Sequence, residues 1–243
     1  MAIVSFFLEA TDTFDAIGIL HSKGAIQQSY VLLRKLLEIY FQIIFLLKGD
    51  SENKALAYEA YYESRVLKGK DCPQNIYIIS VCPKYKIYKK EADRAYYKDK
   101  PKYLEWYQIY DEVNHNELAK KVKKGILKNI KALCKELGEG EENLYEKYYS
   151  ILSKEVHGVL GRNFIKYNKK LDKNYIESFR YPEGITFQTT LCSWMIYQIC
   201  KAIYEHYSVS LNESYKERFK EQIRKLQINE KKCLKYHSSL YKI

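Results

Sequence analysis

Two short stretches of this chain bring together residue types that can grip an anion or pass a proton. In YVLLRKLLEIYFQIIFLL, Arg34, Glu38 and Gln42 recur every four residues, and Gln27 and Tyr30 continue the line one turn each toward the N-terminus. Residues four apart share a helix face, so these form a single polar stripe on a helix whose other positions are almost wholly apolar. A solvated face would give such a stripe, and so would a buried pair, because a charge taken out of water must be matched. The stripe is narrower than an ordinary exposed face. In KYYSILSKEVHGVLG, Ser153 and His157 are again four apart. Tyr145, Tyr149 and Ser150 lie near the same face, with Arg162 and Asn163 just beyond. Gly158 and Gly161 keep the surface beside His157 low, so a partner helix or a phosphate can come close. An Arg fork holds a carboxylate or phosphate, and an imidazole of ordinary pKa exchanges protons near neutrality.

These residues need helices to position them, and helical periodicity dominates the sequence. Helices are expected over 3–20, 25–48 with a stop at Gly49-Asp50, 53–67, 93–113 with a break near Pro101, 118–137, 143–160, 185–207 and 212 to the end. The segment 162–184 reads as a loop with room for one helical turn. NIYIISVCPKYKIY, residues 75–88, shows sustained β-branched and aromatic alternation and predicts an extended connection or short hairpin. It belongs to a Cys-Pro and Tyr/Lys-rich insertion over 70–112. No linker or repeat divides residues 1–243, so the expectation is all-α: a single helical-bundle domain centred on the apolar helices 25–48 and 185–207.

Composition supports that class. The chain has 243 residues with 10 Gly and 4 Pro against 25 Tyr, too few turn residues for a many-stranded sandwich and too apolar for disorder. Its net charge is +11, but only seven of the basic residues are Arg, and a Lys surplus follows from AT-rich coding with no function attached. Placement says more: residues 84–135 hold 15 Lys and Arg against 7 Asp and Glu. Within them PKYKIYKKEADRAYYKDKPKYLEWYQIY interleaves cations with aromatic rings, and AKKVKKGILKNIKALCK, with Lys120 and Lys124, is a basic amphipathic pattern. Either is a nucleic-acid surface or an ordinary solvated face. The N-terminus lacks a basic leader, and Ile43–Leu47, the longest uninterrupted apolar run of the second helix, falls far short of the roughly 20 residues of a membrane span. A cytoplasmic chain with reduced thiols and no membrane partner is therefore expected. Cys spacings give no zinc pattern, and His21, His115, His206 and His237 have no metal-type spacing, so no metal and no cofactor is expected. Phosphate-binding loops, zinc-protease and hydrolase motifs are absent.

LLRKLLEIY followed by YYSILSKEVHG resembles a family of uncharacterised bacterial all-helical proteins with an Arg-x-x-x-Glu helix and a Ser-x-x-x-His helix. That family is similar in outline to the HEPN-type ribonucleases of toxin and phage-defence systems. The resemblance implies metal-independent RNA cleavage in a defence or toxin setting, by a homodimer. His157, Arg34, Glu38 and Ser153 would be catalytic, and Tyr30, Tyr149, Arg162, Asn163, Lys120 and Lys124 would bind. HEPN nucleases carry an Arg shortly before the His on one helix. Here Ile151, Leu152 and Ser153 stand there, so Arg34 or Arg162 must supply the guanidinium. The alternative is a non-catalytic sensor or adaptor whose cluster binds a nucleotide, nucleic acid or protein, or fixes the fold.

Overall fold

The computed structural model describes residues 2–67, 82–96, 104–118, 127–156, 165–168, 172–176 and 185–240. They are mostly helical, with short turns and one antiparallel pair of strands, and the fold class is all-α. The chain divides into two compact units: Met1–Ser5 with Phe45–Glu139, and Phe6–Ile44 with Gly140–Ile243.

The second of these is built on α1 (Ala2–Ser22, from Phe6 onward) and α2 (Ile26–Leu47, as far as Ile44). Leu33, Leu36, Leu37, Ile39, Phe41 and Ile43 of α2 are buried. Each contributes roughly 2 kcal/mol by leaving water, so they set the rotation of α2 and the polar stripe is left at its half-buried edge. Gly49 follows α2 at φ +70°, the left-handed conformation that commonly ends a helix and suits glycine. Helices α7 (Glu139–Leu144) and α8 (Ser150–Val156) join through a π-helical turn, Tyr145–Tyr149. α9 (Ile185–Tyr207) buries Leu191, Cys192, Met195, Ile196 and Ile199, sets Trp194 5.4 Å from Tyr40, and packs along α10 (Glu213–Leu240).

In the other unit, α3 (Ser51–Tyr62) runs into a π-helical turn, Glu63–Leu67, and packs against α4 (Pro83–Tyr96) and α5 (Trp106–Leu118). Tyr85, Tyr88 and Ala92 of α4 form a core with Ala57, Ala60, Ile109 and Val113. A short α6 (Ile130–Leu137) follows.

Three expectations need correcting. The extended or hairpin reading of 75–88 fails over Pro83–Tyr88, which is the start of α4. Proline costs nothing at a helix's first position, and Tyr85, Tyr88, Ala92 and Ala95 already carry the helical spacing of a buried face. The continuous helix over 118–137 is interrupted at 127–129. Asp111 Oδ2 accepts from Leu127 N at 2.8 Å, Gln108 donates to the Lys128 carbonyl, and Asn129 caps α6 by accepting from Ala132 N at 2.9 Å. These side chains satisfy backbone groups that a continuous helix would have used internally. The loop over 162–184 contains the antiparallel strands β1 (Ile165–Asn168) and β2 (Lys173–Ile176), with Ile165 opposite Ile176 and Asn168 opposite Lys173. Asp172 enters β2 with φ +48°, a conformation that Asp and Asn tolerate better than most residues. Residues 75–81 of the alternating segment lie outside the described residues.

Candidate functional site

The polar stripe of α2 meets the π-helical turn before α8. Arg34 Nε donates to Glu38 Oε1 at 3.0 Å, and Arg34 Nη2 donates to the Tyr149 hydroxyl at 2.9 Å. Tyr149 in turn donates to the same Glu38 oxygen at 2.6 Å, closing a ring of three hydrogen bonds. The guanidinium carbon lies 4.9 Å from the Tyr149 ring centroid, and the other side of the turn stacks Tyr145 on Tyr149 with centroids 4.7 Å apart. A π-helical turn is rare and often marks a functional position. Here it carries both stacked tyrosines and delivers the second to α2.

The cluster is neither sealed nor freely solvated. Tyr149 is buried, whereas the Arg34 and Glu38 side chains keep 23% and 32% of their exposure. Burial pushes the Tyr149 phenol well above its ordinary value, the Glu38 carboxylate pushes it further, and Arg34 offsets part of this. For Arg34, burial acts to lower the pKa, but the bond to Tyr149 and the Glu38 charge outweigh it and the guanidinium is held charged. The bonds occupy Nε and one side of Nη2 on Arg34, and Oε1 alone on Glu38. That leaves both Nη1 hydrogens and the second Nη2 hydrogen outside the ring of three bonds, as donors for an incoming anion.

The structure thus brings Arg34, Glu38 and Tyr149 together. Ser153 is half-buried on α8 four residues after Tyr149, and Tyr30 is half-buried on α2 one turn before Arg34. His157, Arg162, Asn163, Lys120 and Lys124 lie outside the described residues.

Two further constellations were not singled out from sequence. In the unit holding α3 to α6, Arg65 Nη1 donates to Glu105 Oε1 at 3.0 Å and to the Tyr61 hydroxyl, and Tyr61 donates to Glu105 Oε2 at 3.1 Å. This repeats the Arg–Glu–Tyr arrangement, again at a π-helical turn. Its signal was Arg65, a scarce residue type here, four residues after Tyr61. In the other unit, Gln188 of α9 is fully buried and donates to the Ile26 carbonyl at 3.0 Å. Its Oε1 is 2.8 Å from His21 Nε2 and also accepts from Ser29. A carbonyl oxygen has no hydrogen to give, so His21 Nε2 carries the proton of the 2.8 Å contact. Ser29 is buried too, which makes this a polar pin between helices rather than an open site. Gln188 in the apolar run ITFQTTLCSWM was the available sequence signal.

Cys82, Cys192 and Cys200 are free thiols, with Cys192 pushed up to about 12 by burial. Among the described residues no group of three or more His, Cys, Asp or Glu side chains is placed to hold a metal, and no helix is long and apolar enough to cross a membrane. Residues 1–175 match the model of a family of unknown function, DUF5677, a span that includes both Arg–Glu–Tyr clusters. No curated protein and no solved structure matches the chain.

Proposed function

The chain belongs to this family of unknown function, and we propose, from the geometry of its own residues, that it is a metal-independent endoribonuclease-like protein acting in a bacterial defence or toxin setting. The observation that carries the reading is Arg34: a partly exposed guanidinium held on two sides by Glu38 and by Tyr149, a residue 115 positions away in sequence. A donor fixed before substrate arrives stabilises developing phosphorane charge without having to reorganise. The remaining Nη1 and Nη2 hydrogens grip the phosphate, and Glu38 with Tyr149 orients the fork. His157, following the turn that carries Tyr149, is the proton carrier assigned on sequence grounds. The ribose 2′-oxygen attacks phosphorus as its proton passes to a base. The bond to the 5′-oxygen breaks and that oxygen takes a proton, leaving a 2′,3′-cyclic phosphate and a 5′-hydroxyl.

The test is incubation of the full chain with single-stranded RNA in EDTA. Cleavage to a cyclic phosphate is expected, with Arg34→Ala and His157→Ala each slowing it at least about 100-fold, a typical general acid–base or oxyanion contribution. RNA left intact by the wild-type chain, or His157→Ala cleaving at the wild-type rate, overturns the reading. One observation favours a second reading, a non-catalytic sensor: Arg34, Glu38 and Tyr149 also satisfy one another, as a packing lock would. Nucleotide binding without turnover, lost on Arg34→Ala, supports it.

A further inference from the structure

Helix α4 sorts its charges by face. Tyr85, Tyr88, Ala92 and Ala95 are buried, so the helix is fixed in rotation against α3 and α5. Its acidic residues are occupied within the unit. Asp93 accepts from Ser64 at 2.8 Å and pairs with the half-buried Lys89, which also faces Glu63 at 3.6 Å. Glu91 pairs with Arg94. The outward positions are Lys86, Lys90 and Arg94, four residues apart and all exposed, with Ile87 45% exposed beside them. Four residues of helix rise about 6 Å and advance about 40° around the axis, so these cations form a slanting row whose rise is close to the spacing of successive phosphates on an extended strand. Among the described residues no carboxylate forms an ion pair with Lys86 or Lys90, whereas Arg94 keeps Glu91 and Glu112.

The contrast with α10 gives the row its meaning. That helix is also rich in cations, but Lys216, Lys220, Arg224 and Lys225 each pair with a glutamate of their own helix three or four residues away. A cation already paired gains less from a new anion than one whose only partner is water.

We propose that the Lys86–Lys90–Arg94 face of α4 is a docking track for the phosphate backbone of single-stranded RNA, a choice of strand that rests on the RNA-acting reading above. The track supplies sequence-independent grip: Lys86 and Lys90 each neutralise one phosphate and release its counterions, while Ile87 offers an apolar edge to sugar or base.

The experiment uses the full chain, a fluorescein-labelled RNA made uncleavable by 2′-O-methylation, and anisotropy titrations between about 50 and 200 mM KCl, a range over which phosphate contacts are readily resolved. Replacing both lysines, Lys86→Gln with Lys90→Gln, is expected to make the slope of log affinity against log salt shallower by about 1.4, from about 0.7 for each single-strand phosphate contact. The salt penalty across that range then shrinks about sevenfold. Lys220→Gln with Lys225→Gln removes equal charge from α10 and is expected to leave the slope as it was. On the wild-type chain, bound RNA is expected to shield Lys86 and Lys90, but not Lys220, from chemical acetylation read by mass spectrometry. That measurement does not depend on any variant folding. An unchanged slope in the α4 variant, an equal change in the α10 variant, unshielded lysines, or equal competition by polyglutamate overturns the track. Binding without cleavage of ordinary RNA sinks the nuclease reading alone, and cleavage with an unchanged slope sinks the track alone.

Discussion

Replacing Tyr149 by Phe removes one oxygen and keeps the ring that stacks on Tyr145 and underlies Arg34. The lost hydroxyl donates to Glu38 at 2.6 Å and accepts from Arg34 at 2.9 Å. Sheltered hydrogen bonds to charged groups contribute about 1.5–3 kcal/mol each. Arg34 and Glu38 are partly solvated and water replaces part of what is lost, so the two together are expected to be worth about 1–2 kcal/mol. At this chain length that lowers the melting temperature by roughly 2–8 °C. The pH dependence has a definite sign. Burial and Glu38 raise the phenol's pKa above its ordinary 10.0, so the folded chain holds a proton that the unfolded chain releases. Tyr149's contribution is complete below pH 10 and is lost as pH rises beyond it. Phe at this position flattens that alkaline decline, while Tyr61, Tyr96 and Tyr110, also raised by burial, preserve the rest of it. Urea denaturation of Tyr149→Phe, Glu38→Gln and the double variant isolates the coupling, expected at about 0.5–1.5 kcal/mol. A single variant within about 0.3 kcal/mol of wild type, or strict additivity in the double, refutes the ring of three bonds as an energetic unit.

Two other perturbations test the polar groups in the rest of the chain. Lys54 is buried, and its Nζ donates to the carbonyls of Phe45 and Lys48 while lying 4.0 Å from the Phe45 ring centroid. Burial lowers its pKa from 10.5 to about 8, so between those values the unfolded chain binds a proton that the folded chain has released, and stability rises with pH. The gain is on the order of 2 kcal/mol after solvent screening, and Lys54→Met removes it. Urea curves between about pH 8 and 10 that stay parallel for the two proteins contradict this placement. Gln188→Leu strips His21, Ser29 and the Ile26 carbonyl of a common partner and is expected to cost about 2–3 kcal/mol. In that variant Ser29 still donates to the Ile26 carbonyl and still contacts His21 Nε2, so adding Ser29→Ala is expected to lower stability further; a double variant no less stable than Gln188→Leu alone counts against the pin.

The helices with a wide apolar face were legible from sequence: α2 and α9 end within two residues of their expected limits because hydrophobic spacing fixes them. The pairing of Arg34 with Glu38 was equally legible, since spacing of four within one helix decides it. Tyr149 was placed near the His face by its position in the chain, but its contact with Arg34 depends on packing across 115 residues, which no local period encodes. The break at 127–129 was hidden for the same reason. Asp111 and Gln108 reach it from α5, and the local pattern alone favours helix. Over 83–88 the signals conflicted: aromatic and β-branched content suggested a strand, while the 85–88–92–95 spacing suggested a helix, and burial against Ala57 and Ile109 settled it.

The wide turn at Tyr145–Tyr149 absorbs one extra residue between α7 and α8. Each α-helical residue advances the side-chain direction by about 100°, and a π-helical turn holds one residue more than that winding accommodates. Deleting any one residue there would let the helix close into regular winding with little loss of backbone hydrogen bonding. Five residues of π turn advance the side-chain direction about as far as four of α-helix, so Tyr145 and Ser153 would keep nearly the same relative direction after the deletion. A residue lost from among Glu146, Lys147 and Tyr148 would therefore leave the directions of Tyr145 and Tyr149 nearly as they are, whereas loss of Tyr149 itself would take the phenol from Arg34 and Glu38.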